Sequence, residues 1–236
     1  MPHDVQIPDY VIERIMAKRG KLEVFDRFEA DKTAFLVIDM QNCFLVPGFS
    51  VLEVPDSRAI VGNVNALAAA VRNGGGLVVW TRHTFRPDWT VWHDHFAGGD
   101  WRDRAMAETA EGSFGYRIGE RMDVNDADLV VRKTRYSALI PGSTEPDVTA
   151  ELRRRHLDTV IVVGTLTNVC CESTARDAMM LDFKTLFIAD ANATRSDAEH
   201  NATLISMIQV FADVRLTDEI VPMLTPRSTR HERAAG

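Results

Sequence analysis

The chain has 236 residues, with 27 basic against 34 acidic side chains and a formal charge of −7. That length suits one large α/β domain with its own core, and the acidic balance argues against nucleic-acid binding, whose footprint is a basic face. No apolar run approaches the ~18 residues that span a bilayer, Met1–Leu22 shows no secretory pattern, and Cys43, Cys170 and Cys171 are no disulfide framework; a reduced, cytoplasmic setting is the expectation.

In chain order, Pro8–Gly20 reads as a helix. Asp9 stands at the cap, Val11, Ile12, Ile15 and Met16 form an apolar stripe, and Gly20 ends it. It belongs to an N-terminal helical extension over residues 1–30, packed on the outside of the domain or on a partner subunit. A single domain is expected over 31–225, and 226–236 read as a disordered tail. Short apolar runs then recur at Ala34–Ile38, Leu77–Trp80, Leu129–Val131, Thr159–Val163, Thr185–Ala189 and, more weakly, Asp213–Leu216. They do not alternate polar with apolar, which marks strands buried on both faces of a parallel sheet. Helical spacing covers Ser57–Asn73, Asp147–His156, Cys170–Asp182 and Ser196–Phe211, the last opening with a Ser196–Glu199 capping box. This alternation predicts an α/β fold with right-handed crossovers. Residues 81–127 break the rhythm. They are long, weakly periodic and rich in Trp, His and Asp, and such a segment is usually functional, as a lid or a subunit contact.

In open α/β sheets ligands sit beyond the carboxyl ends of the strands. Those positions are Asp39, Arg82 with His83, Lys133, the Gly164–Cys170 segment and Asp190–Asn192. Three of them hold a carboxylate, an ammonium and a thiol. Cys170 opens a helical pattern, where the positive dipole end favours a thiolate. Lys133 supplies a second positive charge. Asp39 can take the thiol proton and return it to a leaving group. Singly, a cysteine after an apolar strand is an ordinary core residue and an aspartate there a cap; together at one sheet edge they make a nucleophilic site. Gly74–Gly76 precedes a strand instead of following one, which counts against a nucleotide-binding Rossmann protein.

Phe35–Asn42 (Phe-Leu-Val-Ile-Asp-Met-Gln-Asn) resembles the opening motif of the isochorismatase-like cysteine hydrolases. Lys133–Ala138 is similar to their lysine motif, Gly164–Ala178 to their nucleophile motif, and Asp190-Ala191 also fits. The resemblance covers about residues 31–222. It implies a Rossmann-like three-layer α/β/α fold with a six-stranded, mostly parallel sheet. It also implies an Asp39–Lys133–Cys170 triad, a non-proline cis peptide at Thr165–Leu166, and an oxyanion hole from the backbone N–H groups of Leu166 and Cys170. A homo-oligomer, dimer or tetramer, is expected, with no cofactor. Cys170 is preferred to Cys171, which takes the family's Val position; neighbours on a helix diverge by about 100°. Cys43 stands where the motif usually has Asp and reads as structural. The Asp-x-His pair of nicotinamidases is absent from Trp80–Arg86, and His93 and His95 read as loop residues, so no metal is expected.

A thiol at the nucleophile position argues for covalent attack on a carbonyl carbon, and against the vinyl-ether chemistry of isochorismatases proper. Asn168–Asp177 with Lys133–Ser137 is most similar to ureidoacrylate amidohydrolases and also resembles N-carbamoylsarcosine amidohydrolases. The resemblance therefore implies a small ureido, carbamoyl or amide substrate, cleaved at C–N through an acyl- or carbamoyl-cysteine to release ammonia or amine. No nucleic-acid or membrane partner is expected. Phe44, Trp80 and Tyr136, with Trp89, Trp92 and Trp101, are candidate apolar walls, and Arg82 and Arg86 candidate carboxylate partners. The alternatives are an isochorismatase-type or nicotinamidase-type hydrolase, or a catalytically silent binding protein.

Overall fold

A computed structural model describes residues 2–224. The central strand, β1 (Thr33–Ile38), is buried along its whole length. It lies parallel between β2 (Leu77–His83) and β5 (Thr159–Thr165). Outward from these, β3 (Leu129–Lys133) joins β2, β6 (Lys184–Ala193) joins β5 and β7 (Asp213–Arg215) joins β6, all parallel. Each of the six expected runs is a strand. A seventh, β4 (Thr144–Glu145), pairs antiparallel on the outer edge of β3, so the sheet has seven strands in the order β4-β3-β2-β1-β5-β6-β7 and not the six expected. Two residues are too few to register as an apolar run.

The helices are α1 (Asp9–Arg19), α2 (Asn42–Leu45), α3 (Val61–Asn73), α4 (Gly99–Glu108), α5 (Val148–Arg154), α6 (Glu172–Met180), α7 (Asp197–Ser206) and α8 (Thr217–Leu224). Alternate strand residues feed opposite layers. Phe35 and Val37 pack with Val64 and Leu67 of α3 and Ile220 of α8. Ala34, Leu36 and Ile38 pack with Leu152 of α5, Ala178 of α6 and Leu204 of α7. This is the three-layer α/β/α architecture.

Helix starts follow local chemistry. Asp147 accepts the Ala150 N–H at 2.9 Å to open α5, and Ser196 accepts the Glu199 N–H at 3.3 Å to open α7. Asp9 does not cap α1; Pro8 is the N-cap residue and makes no side-chain cap. Val11 and Ile15 of α1 pack on Ile208 of the chain's own domain. The helical pattern from Cys170 is, in the structure, a π-helical turn over Thr167–Cys171 followed by α6. Within residues 81–127 lie a π-helical turn at Trp92–Phe96 and α4. Glu108 at the end of α4 accepts the Ser50 hydroxyl at 2.6 Å and the Val51 N–H at 3.1 Å, anchoring this segment to the loop before α3. The expected tail at 226–236 lies outside the described residues. Among the described residues no helix is long and apolar enough to cross a membrane.

Candidate active site

Four strands, β1, β2, β3 and β5, converge on one buried cluster. Asp39 is the first residue beyond β1 and adopts φ 51°, a left-handed conformation uncommon for residues other than glycine. Its N–H donates to the Thr81 hydroxyl oxygen at 3.0 Å, and that hydroxyl donates to Asp39 Oδ1 at 2.6 Å. Its carbonyl accepts from the Thr165 hydroxyl at 3.1 Å. β1, β2 and β5 thus all hold this one residue.

Lys133 ends β3 and is fully buried. Its Nζ lies 2.8 Å from Asp39 Oδ2. The ammonium also donates to the carbonyls of Arg135 at 2.9 Å and Tyr136 at 3.2 Å, meets His83 Nδ1 at 3.1 Å, and lies 3.7 Å from Cys170 Sγ. Gly164 lets β5 approach the end of β1: its φ is 119°, and a Cβ there would sit 2.1 Å from the Ile38 carbonyl oxygen. The Thr165–Leu166 peptide is cis. The π-helical turn that follows carries Cys170 to Lys133, while Cys171 is buried in the core and Cys43 in the opposite layer.

Burial sets the resting protonation of the cluster. It pushes the Cys170 thiol up to about 12, against the pull of Lys133, and the Asp39 carboxylate pushes the same way as burial. The thiolate expected from the helix dipole is therefore not the resting form, because desolvation and a neighbouring anion outweigh the positive charge. Burial also works against the charge on Lys133, but Asp39 and Cys170 hold its pKa above the ordinary lysine value. The resting site is a thiol beside an ammonium–carboxylate pair.

Strand alternation decides which other candidates reach this cluster. Thr81 and His83 face the side of the sheet on which Cys170 lies; Trp80 and Arg82 face the other. Trp80 is buried in the α3 layer, and its indole N–H donates to Asp128, just before β3, at 2.8 Å. It is a core residue of that layer. Phe44 is buried in the same core layer. The Arg82 guanidinium covers the Tyr116 ring at 4.7 Å, away from the thiol. Arg86 is paired with Asp88 at 3.3 Å, and Trp101 is exposed. Tyr136 does reach the cluster, through its carbonyl on Lys133 and its ring 4.7 Å from that of Trp89. Phe85 and Trp92 stack at 4.0 Å beside them. His83 is visible in the sequence only as a residue at a strand end and Thr81 carries no signal there; what they touch requires the register. Among the described residues no group of three His, Cys, Asp or Glu side chains is placed to hold a metal.

Comparison with known proteins agrees with this geometry. The family model described as the isochorismatase domain matches residues 33–219. The isochorismatase family protein YwoC of Bacillus subtilis is 31% identical over 196 residues, covering 80% of this chain and 93% of its own. A ureidoacrylate amidohydrolase, RutB of Pseudomonas savastanoi pv. phaseolicola, is 26% identical and covers 94% of each chain. A crystal structure of a cysteine hydrolase from Pseudomonas syringae pv. phaseolicola superposes with a TM-score of 0.72 at 29% identity, covering 85% of this chain and 96% of that one. The chain belongs to the isochorismatase family and is a hydrolase.

Proposed function

We propose that the protein is a cysteine-dependent amidohydrolase acting on the C–N bond of a small ureido, carbamoyl or amide substrate. The observation that carries this reading is the buried chain of contacts from Asp39 through Lys133, 2.8 Å, to Cys170, 3.7 Å. As the thiol sulfur attacks the carbonyl carbon, its proton passes to Asp39, and Lys133 holds the developing thiolate. A thiol with a pKa near 12 needs that base during attack, since almost none is ionised near neutral pH. The oxyanion is received by the backbone N–H groups of Leu166 and Cys170. Asp39 then gives the proton to the departing ammonia or amine, and the C–N bond breaks. A water that loses its proton to Asp39 hydrolyses the thioester or thiocarbamate, and the proton returns to the sulfur.

The likeness to a ureidoacrylate amidohydrolase supports a ureido acid as the substrate class. The test is ammonia release from a panel of ureido acids, N-carbamoyl amino acids and primary amides, run beside Cys170→Ala. Release from at least one compound that vanishes in the variant is the expected result. Release that survives Cys170→Ala would refute thiol catalysis, and release from none would refute the amidohydrolase assignment.

A further inference from the structure

His83 is left half unsatisfied by the fold. It ends β2 beside the triad, 1% exposed. Its backbone is held on both sides by one side chain: the His83 N–H donates to Gln41 Oε1 at 2.6 Å, and Gln41 Nε2 donates to the His83 carbonyl at 3.1 Å. Its ring Nδ1 lies 3.1 Å from Lys133 Nζ. An ammonium carries no lone pair and would repel an N–H at this distance, so Nδ1 faces it with its own lone pair and the ring proton sits on Nε2. Burial first, then Lys133 and Arg135, hold the ring well below the ordinary histidine range, so it stays neutral and this tautomer persists. Nε2 is buried and has no hydrogen-bond partner among the described residues. A donor stranded in this way is costly, and such atoms in a native fold call for an explanation.

The two nitrogens of an imidazole point in divergent directions, so Nε2–H is directed away from Lys133. The ring is walled by Phe85, Trp89 and Tyr136, with centroids at 4.4, 6.5 and 6.2 Å. An apolar box holding one fixed donor is the usual design of a small-molecule subsite. We propose that His83 Nε2–H is the specificity-determining donor of the substrate pocket, accepting no charge and binding a second oxygen of the substrate, a carboxylate or carbonyl distal to the attacked carbon. This inference rests on the amidohydrolase reading of the same site. The Lys133 ammonium on the opposite nitrogen polarises the ring and strengthens Nε2–H as a donor. A substrate without that second oxygen leaves the donor stranded and is disfavoured.

The test has a binding arm and a kinetic arm. In Cys170→Ala protein with labelled histidine, long-range proton–nitrogen spectra report the His83 tautomer and its Nε2–H resonance. N-carbamoylglycine, which carries a distal carboxylate, is expected to move that resonance downfield; butyramide, which has no second oxygen, is not. In the wild-type background His83→Gln keeps a donor near the Nε2 position and His83→Asn does not. For hydrolysis of N-carbamoylglycine, His83→Asn is expected to lose about 10- to 100-fold in kcat/KM, mainly through KM, and His83→Gln to stay within about threefold. Cys170 alkylation by iodoacetamide, within about threefold of wild type in both variants, checks that the triad is intact. A resonance moved by neither probe, with Nε2–H held against the Phe85 ring face, overturns the proposal, as does equal loss in both variants. A downfield shift without ammonia release by wild type from any compound of the panel would keep the His83 assignment and refute the amidohydrolase reading; release with equal losses does the reverse.

Discussion

Replacing Asp39 by Asn separates the two roles assigned to this carboxylate. In the resting site Asp39 opposes ionisation of Cys170, whose pKa stands at about 12, and it occupies the Lys133 ammonium at 2.8 Å. Asn keeps the shape and the Thr81 contact and removes the charge. The loss of one close anion lowers the thiol by about one to three pH units, raising the thiolate fraction at pH 8 about tenfold per unit. A thiolate of lower pKa is a weaker nucleophile, with a Brønsted slope of about 0.4–0.5. The net result is iodoacetamide alkylation of Cys170 that accelerates about 3- to 40-fold at pH 8. Turnover moves the other way. Without a base to take the thiol proton and return it to the leaving group, ammonia release falls about 10²- to 10⁴-fold. In the wild type, alkylation climbs about tenfold per pH unit from pH 7 to 10 with no plateau. Normal turnover by Asp39→Asn would refute the base assignment. A wild-type alkylation rate already flat above pH 7 would refute the neutral resting thiol.

Four further outcomes follow from the same geometry. Cys171→Ala should retain ammonia release and lose about 1–2 kcal/mol of stability in urea unfolding, since Cys171 is fully buried and fills core; loss of activity equal to that of Cys170→Ala would reverse the assignment of the nucleophile. Gly164→Ala places a Cβ 2.1 Å from the Ile38 carbonyl at φ 119° and should cost more than about 3 kcal/mol, lowering Tm by about 6–12 °C; a shift under about 2 °C by calorimetry would contradict the close approach. His200 is held down to about 4, from an ordinary 6.5, by burial first and then by His3. The unfolded chain takes up this proton before the native state does, so the stability it confers is complete above pH 6.5 and declines as pH falls toward 4, by about 2–3 kcal/mol; equal pH slopes for wild type and His200→Gln in urea unfolding would refute it. Trp80→Phe removes the indole bond to Asp128, which keeps Arg72 at 2.6 Å, and should cost about 1–2 kcal/mol with KM unchanged; a raised KM would return Trp80 to the pocket wall.

What could be read from the sequence divides along physical lines. The four inner strands β1, β2, β5 and β6 are legible because burial on both faces leaves an almost unbroken apolar signal, β3 and β7 are half-buried and write a shorter one, and the strand ends locate Asp39, Lys133 and Cys170. α4 was illegible because it buries only Ala105 and so writes no apolar stripe. Beside Ala105 in the core, its hold on the domain runs through Glu108 to Ser50 and Val51. The layer that Trp80 and Arg82 enter is illegible for a different reason. Residue type says that Trp seeks burial and Arg an anion, but only parity along β2 says on which side. Counting from Lys133, whose register partner is His83, puts His83 and Thr81 with the thiol and sends Arg82 and Trp80 to the far layer. The protonation state was the hardest part to foresee. A helix start beside a lysine suggests a thiolate, yet the site is sealed from water and shares its ammonium with Asp39. In that setting the carboxylate takes the positive charge first and the thiol keeps its proton until substrate arrives. A carboxylate beside a neutral thiol is therefore more informative about this site than the cysteine alone, and under the proposed mechanism it makes Asp39, rather than the helix dipole, the group on which nucleophile activation depends.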